Sequence, residues 1–305
     1  MSGKDRKDLA PRLAAAFARP RAGRAALIPY LTAGFPDMAT SDRLVAACVA
    51  AGADIVELGV PFSDPVADGP VVQRTDHAAL EAGVTTDDVL ALAARHAGAV
   101  PFVLLTYLNP VLAYGPGRFF AAAAAAGVEA VVIPDLPVDE ATAGAGEAAG
   151  GEPAGGGETA AAAGSPPPQA GPSPASLVAT AAAHGVAYVP LAAPTATDAR
   201  LDLVAAAAAS FVYCVTVTGV TGPRQRLGED LPRLVARLRE RTRRPLAAGF
   251  GIADPAQAAA AARLADGVIV GSALLARVME AGSATAACGA VAGLLETMAA
   301  AIAAA

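Results

Sequence analysis

The sequence predicts a closed parallel α/β barrel of eight strands, and three observations predict it. Short runs rich in Val, Ile, Leu and Tyr recur along the 305 residues, with alanine-rich helical stretches between them. That alternation is the pattern of parallel strands joined by crossover helices. Eight such runs can be counted. The residues with unusual chemistry all fall just after these runs, where barrels of this kind gather their functional groups. A doubly wound open sheet is the competing arrangement.

The runs lie at 26–31, 55–59, 102–105, 130–133, 187–191, 211–215, 246–248 and 267–270. A helix at 8–17 precedes the first and another at 286–303 follows the last. Their Leu, Val, Ile and Met residues at helical spacing suit packing on the barrel's outside or capping its bottom. One segment breaks the alternation: residues 141–175 contain no Val, Ile, Leu, Met or aromatic residue. Such a stretch buries too little apolar area to offset its chain entropy. It reads as a disordered insertion between strand four and its helix, with the barrel resuming near Ser176. The expectation is one (β/α)8 TIM-barrel domain over 1–305, with extra terminal helices.

Hydrophobic residues make up 54% of the chain and charged residues only 16%, enough to bury a large core. Alanine inflates that figure, and no window is expected to supply the roughly 20 strongly apolar residues that span a bilayer. Met1-Ser-Gly-Lys-Asp-Arg-Lys-Asp mixes acids with bases and leads into no continuous apolar stretch, so a cytoplasmic protein without a signal peptide is expected. A net charge of −6 argues against nucleic acid. The densest basic run, 237–244, alternates with Leu238 and Glu240 and reads as the solvated end of a helix. Cys48, Cys214 and Cys288 are odd in number and far apart, which suits reduced core thiols. His77, His96 and His184 lack ligand spacing and default to helix surfaces, so no metal site follows.

Chemistry concentrates in the eighteen residues from Val56 to Gln73. Glu57 interrupts the apolar run Ile55-Val56-Glu57-Leu58, where a carboxylate loses hydration unless something compensates. Catalysis is one reason for it; a structural pairing with a neighbouring Arg is the other. Asp64 and Asp68 follow in the loop. Gly219-Val-Thr-Gly222, Gly249-Phe-Gly251 and Gly271-Ser272 come after strands six, seven and eight. Glycines let backbone N–H groups approach an anion, and Gly271-Ser272 opens a helix whose N-terminus favours negative charge. Without a Walker motif or a G-x-G-x-x-G fingerprint, this cradle suits a sugar phosphate or phosphorylated glycerol better than a nucleotide.

Leu58-Gly-Val-Pro-Phe-Ser-Asp-Pro-Val-Ala-Asp-Gly-Pro70 resembles the signature of the tryptophan synthase alpha chain family. Pro29-Tyr-Leu-Thr-Ala-Gly34, Pro134-Asp-Leu-Pro137, Gly219-Val-Thr-Gly222, Gly249-Phe-Gly-Ile252 and Val270-Gly-Ser-Ala273 follow in that family's order. The resemblance implies retro-aldol cleavage of indole-3-glycerol phosphate to indole and glyceraldehyde 3-phosphate, with no cofactor in this chain. It implies that Glu57 shuttles protons at the indole C3 and the glycerol hydroxyl, while Asp68 accepts the indole N–H. Desolvation should raise the pKa of Glu57 while the polar loop keeps Asp68 ionised. Tyr30, Leu105, Tyr107, Tyr213 and Phe250 stand at strand ends where they can build an indole slot. Gly222, Gly251, Gly271 and Ser272 are expected on the phosphate, and Thr221 in a lid over 216–230.

The family also implies a partner, a pyridoxal-phosphate beta chain in an αββα heterotetramer. Asp64 and Pro65 match loop residues that communicate with it, Ser-Asp-Pro as a plain turn being the alternative. Pro137 and the neighbouring insertion fall near the expected interface. Two other readings stay open: a phosphate-binding barrel isomerase or epimerase, which leaves the paired acids unexplained, and a non-catalytic activator of a beta chain, which has no need of both.

Overall fold

The computed structural model describes residues 10–18, 25–139, 173–215, 230–249 and 251–305. Its strands are β1 (Ala26–Thr32), β2 (Val56–Gly59), β3 (Phe102–Leu105), β4 (Val128–Val132), β5 (Ala187–Val189), β6 (Leu191–Ala192), β7 (Val212–Val215), β8 (Leu246–Gly249) and β9 (Gly267–Val270). All pair in parallel, in the order β5-β4-β3-β2-β1-β9-β8-β7-β6. The two ends of that order, β5 and β6, are halves of one extended run interrupted at Pro190. Proline has no N–H to give a ladder. Its carbonyl still accepts the Tyr213 N–H at 3.0 Å, so the sheet's ends meet and the barrel closes. Nine segments thus fill the eight expected strand positions.

Both faces of the sheet are buried, which is why the strands read as apolar runs rather than alternating ones. Leu27, Leu31, Val56 and Leu58 face the helical shell, while Ile28, Tyr30, Ile55, Val103 and Tyr213 fill the barrel interior. The register sets Tyr30 beside Glu57 and Glu57 beside Val103. Glu57 therefore shares the interior with Ile55, two residues earlier.

The helix Pro11–Ala18 plugs the bottom, burying Leu13 against the interior cluster. Glu129 accepts the Arg12 and Leu13 N–H groups of its first turn at 3.0 and 3.1 Å. The helix Ala284–Ala303 buries Ala287, Val291, Leu295, Met298 and Ile302 on one stripe and packs on Met38–Ala50 and Pro255–Ala262. By length and composition alone this helix meets the requirement for crossing a membrane, which corrects the expectation that no window does.

Most of the alanine, glycine and proline insertion, residues 140–172, lies outside the described residues. The helix after it begins at Pro174, its N-cap Ser173 accepting the Ser176 N–H at 3.2 Å. The barrel thus resumes two residues ahead of Ser176. The basic run is also not a free helix end. Arg237 and Arg241 both hold Asp198, at 2.8 and 3.0 Å, Arg241 also holds Asp202 at 2.9 Å, and Arg239 holds Asp266 at 2.6 Å. Cys48 and Cys214 are buried free thiols and Cys288 is half-buried. His77 and His184 are exposed, whereas His96 is half-buried, 3.0 Å from Asp42, which also pairs with Arg95.

Candidate active site

Strand β2 delivers Glu57 to the carboxyl end of the barrel with 1% of its surface exposed. Neither carboxyl oxygen has a hydrogen-bond partner among the described residues, and no ion pair there includes it. An uncompensated charge in that position is costly. Burial, followed by the nearby charge of Asp68, pushes the Glu57 carboxyl up to about 8, so it holds its proton at neutral pH. The Arg-paired structural reading of Glu57 finds no Arg among the described residues.

The loop after β2 folds back on itself to bring Asp68 inward. The Asp68 N–H donates to the Pro65 carbonyl at 3.0 Å, and Gln73, in the first turn of the helix Pro70–Glu81, donates its amide to the Asp68 carbonyl at 2.9 Å. Asp68 is 8% exposed, and its Oδ2 accepts the Tyr107 hydroxyl at 2.7 Å. The same phenol oxygen accepts the Ala67 N–H at 3.1 Å. Burial raises the Asp68 carboxyl to about 6 although the Tyr107 bond pulls it down. The loop is therefore less polar around Asp68 than its composition implies, but Asp68 still ionises before Glu57. Tyr107, expected in the wall of an indole slot, is 1% exposed and gives its hydroxyl to Asp68, with Phe62 stacked on its ring at 5.1 Å.

Two more phenols occupy the interior beneath the mouth. Tyr30 and Tyr213 are buried, and burial above all, with the charges of Asp68 and Glu57 behind it, holds their hydroxyls protonated. Leu105 belongs to the same interior cluster. The strand-end glycines make room for these rings. A Cβ on Gly59 would run into the Tyr30 hydroxyl, one on Gly249 would meet the Tyr213 hydroxyl at 2.5 Å, and one on Gly271 would meet the Tyr30 ring at 3.1 Å. Gly59→Ala is accordingly expected to cost about 1–3 kcal/mol through overpacking and to displace Tyr30. Thermal melting and indole release both check this, and an unchanged variant would refute the clearance role.

The expected phosphate and interface residues are dispersed. Gly271 caps the helix Ser272–Glu280 without a side-chain bond, so its first-turn N–H groups open at the same barrel end as Glu57, with Ser272 exposed beside them. Gly251, with φ +85°, needs the left-handed backbone that glycine tolerates. Thr221, Gly222 and Phe250, and nearly all of the expected lid, lie outside the described residues. Asp64 is exposed and takes the Ser63 hydroxyl. Pro65 is buried, its carbonyl holding the turn, while Val66 stands 81% exposed at the crest. Pro137 is half-buried and lines a cavity of about 140 Å³ with Asp135, Tyr188 and Leu191.

Two buried acids went unremarked in the sequence, Asp54, which accepts the Leu27 N–H at 3.0 Å, and Asp76. Asp76, in the helix Pro70–Glu81, is 2% exposed, and burial together with the Asp68 charge raises its carboxyl to about 8. Its spacing from Val72 and Ala79, on one helix face, is the signal that finds it.

A parallel barrel with a buried glutamate unpartnered among the described residues on one strand, and a buried aspartate in the loop after it, places the chain among the TIM-barrel enzymes. The family model for the tryptophan synthase alpha chain matches residues 17–149 and 167–303, leaving out only a stretch inside the insertion and the ends of the chain. The chain belongs to that family. It is 44% identical over 272 residues to the tryptophan synthase alpha chain of Chloroflexus aurantiacus, covering 88% of this chain and 90% of the relative. It is 42% identical to that of Acidiphilium cryptum, covering 87% and 85%. A structure of Mycobacterium tuberculosis tryptophan synthase matches with a TM-score of 0.78 at 35% identity, over 95% of this chain and 98% of that one.

Proposed function

We propose that Glu57 and Asp68 carry the chemistry of this alpha chain, an indole-3-glycerol-phosphate lyase, as acid/base and charge stabiliser respectively. The single observation behind the assignment is the state of Glu57, a buried, protonated carboxyl with both oxygens free of partners among the described residues. Such a group is ready to give a proton to the indole C3. Ionised Asp68 accepts the ring N–H and offsets the positive charge that C3 protonation places on the nitrogen. Glu57, now a carboxylate, takes the glycerol hydroxyl proton. The bond between C3 and the glycerol carbon breaks, its electrons return to the ring, and indole leaves beside an aldehyde. Tyr30, Leu105, Tyr213 and Phe250 enclose the ring, and the N–H groups of Gly222, Gly251, Gly271 and Ser272 hold the phosphate, with Thr221 in the covering loop. In this family the alpha chain has no cofactor of its own, pyridoxal phosphate residing in the beta chain.

Relatives of this chain are solved as parts of whole tryptophan synthase. An αββα assembly with a beta chain is the corresponding state here, meeting it through exposed Asp64, the turn held by Pro65, and Pro137. Free thiols at Cys48, Cys214 and Cys288 suit a reducing cytoplasm. The composition of the chain supports one barrel domain, with the insertion as an appendage.

The test is to incubate the protein with indole-3-glycerol phosphate and measure indole, then repeat with a beta chain and serine. Indole in neither condition overturns the reading and favours a non-catalytic activator. The pH profile tests the residues. Activity needs Asp68 ionised and Glu57 protonated, so kcat/KM rises through about 6 and falls through about 8. A profile that keeps rising above pH 9 removes Glu57 from the acid role.

A further inference from the structure

Asp76 has a physical connection to Asp68. The backbone N–H of Phe62, within the loop carrying Asp64 and Asp68, faces the Asp76 carboxyl and works to lower its pKa against burial. The Phe62 ring lies on Tyr107, with centroids 5.1 Å apart and planes 29° from parallel, and Tyr107 donates to Asp68 at 2.7 Å. On its other side Asp76 Oδ1 lies 3.4 Å from the Thr32 hydroxyl at the end of β1. That hydroxyl is 2.7 Å from Thr75, and Thr75 gives its own proton to the Val72 carbonyl at 2.8 Å. The Thr32 hydroxyl donates to Asp76 Oδ1 and also bonds the Tyr30 phenol, so it ties the end of β1 to both groups. Thr32, Thr75 and Asp76 are all at most 2% exposed. The ionisable groups that share Asp76's surroundings are Asp68, Tyr30 and Tyr107, and no base among the described residues neutralises it.

We propose that Asp76 is a positioning residue for the cleavage: it joins the end of β1 to the Phe62 N–H and, through the Phe62 ring stacked on Tyr107, fixes the phenol that aims Asp68. This role rests on the assignment of Asp68 above. Glu57 reaches the pocket on a strand, whose ladder holds it. Asp68 sits on a ten-residue connection between β2 and the next helix, and two bonds to Tyr107 and one from Gln73 are what aim it. Asp76 accepts from both Phe62 and Thr32, and an asparagine keeps one amide oxygen that can accept the Phe62 N–H.

Three variants of the full chain test the role: Asp76→Ala, Asp76→Asn and Asp76→Ala combined with Tyr107→Phe. Asp76→Ala should lower kcat by about 10- to 100-fold through misplacement of Asp68, with KM nearly unchanged. Asp76→Asn should recover most of that loss. In the Tyr107→Phe background, Asp76→Ala should cost at most about twofold more, because the two substitutions cut one chain of contacts. Hydrogen exchange supplies a readout free of activity. The Phe62 amide should exchange about 10-fold faster in Asp76→Ala and close to normally in Asp76→Asn. Should Asp76→Ala not fold, Phe62→Leu removes the stack while leaving every buried acid in place and should reproduce the kcat loss and its non-additivity. Losses that multiply with Tyr107→Phe, failed rescue by Asn, or unaltered exchange at Phe62 overturns the proposal. Altered exchange in a protein that releases no indole instead overturns the reading of Asp68, leaving the anchor standing.

Discussion

Glu57→Gln lowers indole release by about 10²–10⁴-fold, the usual worth of a positioned proton donor, while binding of the phosphorylated substrate survives. The amide keeps the shape of a protonated carboxyl but cannot give its proton to C3 or take one back from the glycerol hydroxyl. Stability measurements separate this chemical loss from misfolding. The folded carboxyl sits at about 8 against an ordinary 4.5. Between those values the folded state binds more protons than the unfolded one, so the stability Glu57 contributes is complete below about 4.5 and is lost as pH rises through about 8. Gln does not titrate. The Gln variant should therefore gain on the parent by up to about 1.4 kcal/mol per pH unit across that window and by nothing further above it. Urea titrations at pH 5, 6.5 and 8 measure the difference. A variant that still releases indole at the parental rate, or one whose stability relative to the parent does not change with pH, dismisses Glu57 as the buried acid.

What was legible in the sequence follows from which forces are local. The barrel was readable because its strands are buried on both faces, so each appears as a short apolar run, and because the helices between them carry alanine. The break at Pro190 was not, since a proline inside a run says only that a ladder N–H is missing, not that the chain continues and closes the barrel through its carbonyl. Glu57 announced itself as one acid among apolar neighbours. Asp76 is marked only by its helical spacing from Val72 and Ala79, because Gln73-Arg74-Thr75-Asp76-His77 by itself reads as a polar stretch, although Thr75 and Asp76 turn inward while Arg74 and His77 turn out. The bond from the Tyr107 hydroxyl to Asp68 was likewise not legible, its partner lying 39 positions away in the chain. The glycines show a subtler limit. A glycine that frees N–H groups for an anion and one that clears space for a phenol look identical in sequence, yet Gly59 and Gly249 border Tyr30 and Tyr213 tightly.

Asp68→Asn is the change that tests how the acids divide one negative charge. Asparagine still accepts the Tyr107 hydroxyl through its amide oxygen, so the loop keeps its aim and the defect is electrostatic. Without a carboxylate at the ring nitrogen, the charge developing there is unmet, and kcat should fall by about 10²–10³-fold, or roughly 3–4 kcal/mol of transition-state stabilisation. The residual activity carries the sharper information. Asp68 is the source of the acid limb, so that limb disappears. Its charge is also the second cause, after burial, of the raised Glu57 value. Removing it lets Glu57 ionise at lower pH, though burial alone still holds the group above the usual carboxylate range. The bell should become a single falling limb displaced toward acid, measured as residual kcat/KM between pH 5 and 9. The shift has this sign only if Asp68 is ionised while Glu57 is still protonated. An acid limb that persists in the variant, or an alkaline limb that stays where it was, means the two carboxyl groups do not sense each other, and the division of labour between them fails.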